Sequence, residues 1–323
     1  MTSVKTFSHH HPGGAVAEHD ETRQVSRRTF LFELAAMGVG TSVLASCASA
    51  AGGTGTAAAA GTSAGAGANA NMIGIQMYTV RDQLQTDFDG TVEKIAKIGY
   101  KNLEFAGYYN RTPEQVRALL DRVGAVSRSS HIGAPLLRQD AAGQIKAAKT
   151  IGQEYITLPS YNFGKEGLAG WRKAVAEFNQ WGAMCRDAGL KLAYHNHNFE
   201  FAPLEGTTGY DVLVKEVDPK LVDFELDLYW VRFADQDPLA LFAKYPGRFA
   251  MWHVKDMVVT GTQKGMSPVG KGTIDFKSIF AHAGQSGMKY FFVEHDTAAQ
   301  YPGGSLASAQ ASYEYLHQLL TTA

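Results

Sequence analysis

From Ile73 to the end of the chain, short apolar runs alternate with amphipathic stretches. That alternation predicts parallel strands covered by helices. The strand candidates are IGIQMYT from Ile73, NLEFAG from Asn102, AVSRSSHI from Ala125, YITLPS from Tyr155, KLAYHNH from Lys191, VDFELDLYW from Val222, FAMWHVKD from Phe249 and YFFVEHD from Tyr290. Between them GTVEKIAKIG, TPEQVRALLDRVG, QIKAAKTIG and WRKAVAEFNQWGAMCRDAG carry apolar residues at spacings of three and four, the mark of helices with one buried face. Gly99, Gly124, Gly152 and Gly189 stand where helix C-caps are expected. Eight such units in roughly 250 residues predict a single (β/α)8 TIM barrel over residues 72–323, with an open doubly wound sheet as the alternative.

A barrel carries its chemistry at the C-terminal ends of its strands. Polar residues gather there: Glu104, His131, His195 with His197, Asp227, His253 with Lys255, and Glu294 with Asp296. Side chains alternate along a strand, so His195 and His197, Glu225 and Asp227, and His253 and Lys255 are each expected to share a face. Carboxylates and imidazoles converging in one cleft suit a divalent cation such as Mn, Zn, Co or Mg, and without one several buried carboxylates are costly. Glu225, one layer deeper than Asp227, is read as part of a polar network in the barrel core. Trp252 and Tyr229 are aromatic candidates for stacking on a sugar, and Glu200 is a candidate for binding substrate or capping the next segment. Cys185 is a small buried residue of a helix.

The 30 Lys+Arg balance 31 Asp+Glu, and no basic run is present, so the charge argues against a nucleic-acid partner. Two cysteines, Cys47 and Cys185, provide no disulfide framework. The first 71 residues differ from the rest. Arg27 and Arg28, followed by Thr29, Phe30 and Leu31, precede a mildly apolar run of about 15 residues, too short for a membrane span. This resembles a twin-arginine export signal, and Leu44, Ala45, Ser46 and Cys47 resemble a lipobox whose Cys is lipidated. Residues 48–71, rich in Ala, Gly, Ser and Thr, read as a flexible tether. The expectation is an exported periplasmic or cell-envelope protein that meets the membrane through this lipid anchor.

YHNHNFEF from Tyr194, FELDLYW from Phe224, MWHVKDM from Met251, PVGKGTIDF from Pro268 and FFVEHD from Phe291 together resemble the sugar phosphate isomerase/epimerase superfamily, with its xylose-isomerase-like barrel. The resemblance spans residues 72–320. It implies one divalent cation held by Asp227, His253 and Glu294, with His195 standing where many members have Glu. It further implies proton abstraction beside a carbonyl through a metal-stabilised enediolate. Glu294 is then ligand and base, and His195, His197 or Lys255 supplies the second proton transfer. Apart from the resemblance, Glu104 at the end of its strand is a candidate base or substrate clamp, and His131, Trp252 and Glu200 near the mouth are candidate substrate contacts.

The resemblance leaves the outcome open. An isomerase or epimerase of a non-phosphorylated sugar is the first reading, since no Gly-rich phosphate loop stands out. A 3-keto-glycoside lyase or hydratase shares the same first step and gains weight from the replacement of the strand-five Glu. A sugar-binding lipoprotein without catalysis is the reading from another class, and the abasic-site endonuclease branch lacks support from the charge.

Overall fold

The computed structural model describes residues 73–322, so the export motif, Cys47 and the tether lie outside the described residues. Eight parallel strands form one sheet: β1 (Gly74–Gln76), β2 (Asn102–Glu104), β3 (Ser129–His131), β4 (Tyr155–Leu158), β5 (Lys191–His195), β6 (Val222–Asp227), β7 (Met251–Val254) and β8 (Tyr290–Val293). Each falls inside one predicted run. The observed strands are shorter because the C-terminal part of each run leaves the ladder and turns into the loop that carries polar groups.

Strand β1 pairs with both β2 and β8, and neighbours then pair in sequence back to β3. Two parallel bridges, Asn102 to Val126 and Phe105 to Ser130, join β2 to the β3 segment and close the cylinder. Tight closure constrains residue type at Gly74, where a Cβ would stand 2.5 Å from the Phe291 carbonyl oxygen and 2.7 Å from the Phe292 ring. The fold is therefore the expected single (β/α)8 barrel.

One principal helix follows each strand: α1 (Phe88–Ile98), α2 (Pro113–Val123), α3 (Ala134–Ile151), α4 (Leu168–Asp187), α5 (Gly209–Glu216), α6 (Pro238–Lys244), α7 (Phe276–Ala281) and α8 (Gly304–Thr321). Local chemistry sets their limits. Thr112 and Gln115 form a reciprocal capping box at α2, whose C-cap Gly124 is left-handed at φ 65°. Burial follows strand alternation: Leu226, Trp252 and Val254 face the helical layer, while Glu225, Asp227 and His253 face the axis.

Register then determines which inward groups meet. The β5–β6 ladder sets His195 beside Glu225, and the β6–β7 ladder sets Asp227 beside His253.

An antiparallel hairpin, Asp256–Thr260 with Gln263–Ser267, follows β7 and was not apparent from the apolar pattern. Asp256 organises the turn beyond it. Its Oδ1 accepts from the amides of Met257 and Ile274, and its Oδ2 accepts from those of Gly270 and Gly272. The PVGKGTIDF stretch is thus shaped by one buried carboxylate that satisfies four backbone donors. At Gly272 a Cβ would be 2.3 Å from that carboxylate.

Candidate metal centre

The strand ends bring together five carboxylates (Glu104, Glu225, Asp227, Glu294, Asp296), four imidazoles (His131, His195, His197, His253) and the Lys255 amine. One donor atom from each of His195, Asp227, His253 and Glu294 lies within 4.8 Å of the others. These are the four positions expected to hold a cation.

Local structure explains how Asp227 offers an oxygen. It ends β6 and N-caps the short helix Leu228–Phe233, its Oδ1 accepting from the Trp230 amide at 2.9 Å. Its backbone N–H donates to Asn196 Oδ1 at 3.1 Å, tying the end of β6 to the end of β5. The second oxygen, Oδ2, is buried without a hydrogen-bond partner. It faces His195 Nε2 at 3.6 Å, Lys255 Nζ at 3.3 Å and His253 Nδ1 at 4.0 Å. This oxygen, ion-paired with Lys255 but without a hydrogen bond, stands with two imidazole nitrogens and a glutamate, a donor set that suits a divalent cation.

Electrostatics divide the four: burial disfavours charge on His253, but Glu225, Glu294 and Glu104 outweigh it and raise its pKa well above the ordinary imidazole value, so a cation binding there displaces its proton. Burial pushes the Asp227 carboxyl up to about 6, against the pull of Lys255 and His253. Burial would also raise Glu294, but the charges of Lys255 and His253 hold it well below the usual range. His195 is driven well below the ordinary imidazole value by burial and by His253, which leaves it neutral and able to ligate. Burial disfavours the Lys255 ammonium, yet Asp227, Asp296 and Glu294 more than offset this, and the amine stays charged.

Lys255 is 1% exposed and donates to Asp296 Oδ2 at 3.0 Å, with Glu294 Oε2 at 2.8 Å. Asp296 retains 27% side-chain exposure, which places it nearer solvent than Glu294. Its pKa is raised by burial, with Lys255 opposing. The His197 ring lies 5.2 Å from that of His195, between Phe199 and Trp230. Its Nδ1 is buried without a partner, and burial with the nearby Lys255 charge lowers its pKa to about 4.

Below this group lies a second layer. Glu104 is fully buried; its Oε2 meets His253 Nε2 at 2.7 Å and accepts from Gln76 Nε2 at 2.9 Å. His131 Nε2 lies 2.8 Å from Glu225 Oε2 and 3.4 Å from Glu104 Oε2. Burial lowers the His131 pKa, but those two carboxylates outweigh it and raise it overall. Glu104 is therefore not a base at the mouth: it stands behind His253. Glu225 occupies the polar core network expected of it.

Two expected sugar contacts are corrected. Trp252 precedes inward-facing His253, so alternation turns it outward, where it stacks on Phe242 with centroids 5.2 Å apart. Glu200 is fully buried and satisfied within its own loop, accepting from Tyr194 Oη at 2.7 Å and the His197 amide at 2.9 Å. Two aromatic groups do lie beside the site: Tyr229, an expected stacking candidate whose ring is 6.0 Å from Lys255 Nζ, and Trp230, which was not expected. The Trp230 ring lies 5.5 Å from Lys255 Nζ and its buried Nε1 has no partner. Its position three residues beyond Asp227 was the available signal, because a helix starting at Asp227 returns that residue toward the mouth.

A family model described as xylose isomerase-like TIM barrel matches residues 92–318. The chain belongs to this family. Among relatives of this xylose isomerase-like barrel, the inosose dehydratase of Geobacillus kaustophilus (strain HTA426) is 24% identical over 275 residues, covering 72% of this chain and 87% of that one. A crystal structure of a sugar phosphate isomerase/epimerase from Parabacteroides distasonis ATCC 8503 superposes with a TM-score of 0.66 at 25% identity, covering 77% of this chain and 94% of that one. The zinc-bound IOLI protein shares the fold at 13% identity and a TM-score of 0.62, covering 78% and 98% of the two chains.

Proposed function

We propose that the barrel is a divalent-metal-dependent lyase of the dehydratase kind, acting on a non-phosphorylated keto-sugar or keto-polyol. The observation that carries this reading is the asymmetry of proton-transfer groups: one buried ammonium, Lys255, sits between Glu294 and Asp296. Elimination needs one base and one acid acting on neighbouring atoms, which such a cluster can supply. Inosose dehydratase relatives support the same class.

His195, Asp227, His253 and Glu294 would hold the cation, which would supply positive charge to a substrate carbonyl oxygen and so acidify the adjacent C–H. Asp296, the more exposed carboxylate with a raised proton affinity, takes the proton from that carbon. Lys255 donates a proton toward the departing β-oxygen, so the step releases water or an alcohol and leaves an unsaturated ketone. Neutral His197 and the Trp230 N–H orient substrate hydroxyls.

Epimerisation is the second reading, favoured by the likeness to the Parabacteroides distasonis isomerase/epimerase. The two separate when the purified protein, loaded in turn with Mn, Zn, Co and Mg, is incubated in D2O with inososes, 3-keto-glycosides and free sugars. A released water or aglycone with a new alkene signal by NMR supports the lyase. Deuterium incorporation with an inverted centre and no fragment supports the epimerase and overturns the first reading.

We also propose that the chain works at the cell envelope, delivered by Arg27 and Arg28 and anchored at Cys47. Palmitate labelling lost in Cys47→Ala tests the anchor.

A further inference from the structure

We propose that Glu225 and Glu104 are positioning residues that fix His195 and His253 in opposite tautomers, so that each imidazole turns its lone pair toward Asp227 and Glu294. This rests on the metal-centre reading above.

The two rings are oriented in opposite senses. His195 points Nδ1 down to Glu225 Oε2 at 3.2 Å and Nε2 up toward Asp227 Oδ2 at 3.6 Å. His253 does the reverse: Nε2 meets Glu104 Oε2 at 2.7 Å and Glu225 Oε2 at 3.1 Å, while Nδ1 faces Glu294 Oε2 at 2.9 Å and Asp227 Oδ2 at 4.0 Å. A neutral imidazole has one N–H and one lone pair. With the N–H placed over the lower carboxylates, both lone pairs face the side on which Asp227 Oδ2 and Glu294 Oε2 lie. The opposite tautomer of His195 would set its lone pair against Glu225 Oε2 at 3.2 Å; at His253, where both nitrogens meet carboxylates, the N–H belongs on Nε2 because that nitrogen meets two of them, Glu104 and Glu225, whereas Glu294 on the Nδ1 side already has the Lys255 ammonium at 2.8 Å.

The lower carboxylates are themselves held. Gln76 Nε2 donates to Glu104, and His131 spans Glu225 and Glu104 while its ring stacks on that of His253 at 5.1 Å and 12°. Carboxylates behind metal-bound imidazoles fix ring orientation and raise ligand basicity. The lower layer has its own set of donors, His131, His195, Glu225 and His253, within 4.8 Å. It shares both imidazoles with the upper set, and a neutral ring cannot give lone pairs to both. Glu225 Oε2 is already crowded by three imidazole nitrogens, whereas Asp227 Oδ2 has no hydrogen-bond partner.

The test is a Co2+ and Zn2+ titration of the metal-stripped full chain, comparing wild type with Glu225→Gln and Glu104→Gln. Each variant is expected to bind about 10–100-fold more weakly, with a changed Co2+ visible spectrum, at a temperature where circular dichroism shows the metal-free variant folded. In the zinc-loaded wild type, 15N NMR of the imidazoles is expected to show His195 ligated through Nε2 and His253 through Nδ1. Binding within twofold of wild type in both variants, with an unchanged spectrum, overturns the inference. So does ligation through the other nitrogens, a result that stands even if neither variant folds. Two ions in wild type, with one lost in each variant, makes the lower layer a ligand set and also overturns it. A wild type that takes up neither Co2+, Zn2+, Mn2+ nor Mg2+ defeats the metal-centre reading, and this inference falls with it.

Discussion

Lys255 Nζ stands 2.8 Å from Glu294 Oε2 with almost no access to solvent. It neutralises carboxylates from two further positions, Asp227 at 3.3 Å and Asp296 at 3.0 Å. Removing one partner of a buried ion pair leaves an uncompensated charge, typically a loss of about 3–5 kcal/mol. Lys255→Met is expected to lower the stability of the metal-free protein by that order in urea denaturation. Added divalent cation should recover part of the loss, because it supplies positive charge to the same oxygens.

Asp227 has one oxygen committed to the Trp230 amide and one that makes no hydrogen bond, facing Lys255 and the two ligand imidazoles. Asp227→Ala is therefore expected to reduce bound metal from about one ion per chain to a small residue, measured by mass spectrometry after dialysis. Helix-cap loss should add roughly 1 kcal/mol of destabilisation, small enough for the barrel to remain folded by circular dichroism.

Trp230 sets its ring 5.5 Å from Lys255 Nζ and carries a buried N–H without a partner. Trp230→Phe keeps a ring and removes the donor, while Trp230→Ala removes both. With the substrate identified in D2O, KM is expected to rise about 3–10-fold in the Phe variant, as for one hydrogen bond, and further in the Ala variant. In both, kcat should change less than KM, which steady-state kinetics reads directly. Equal loss in kcat alone would place Trp230 in the chemical step instead.

Burial raises the Glu200 carboxyl from 4.5 to about 7. The folded chain therefore retains a proton that the unfolded chain releases between those values. The stabilisation is fully present below about pH 4.5 and is lost as pH rises through about 7. Glu200→Gln does not titrate, so its stability relative to wild type should improve by up to ~3 kcal/mol across this window. Urea midpoints at several pH values from 4.5 to 8 check both sign and range.

The strands and their order were legible because apolar runs of strand length recur between helical periods, and register followed from which residues must face inward. The polar strand-end residues were legible as a group for that reason, and the family resemblance then singled out Asp227, His253 and Glu294, with His195 at the remaining position, as the ligand set. Trp252 was misread because an aromatic next to His253 looks near the site until alternation is applied strictly; it points the other way. Glu200 was misread because its partners, Tyr194 Oη and the His197 amide, meet it only once the loop after β5 folds back. The Asp256 turn was hidden for a similar reason: its four backbone donors lie up to 18 residues away, and backbone partners leave no trace in residue type beyond the glycines.

The closure between β2 and β3 uses two isolated bridges rather than a continuous ladder. Glu104 ends one of these strands and His131 the other, and their side chains meet across the join at 3.4 Å. The pocket floor thus doubles as a clasp for the cylinder. Whatever tightens the floor will tighten the join, so occupancy of the pocket should be readable far from any chemistry, as slower amide exchange along residues 126–131.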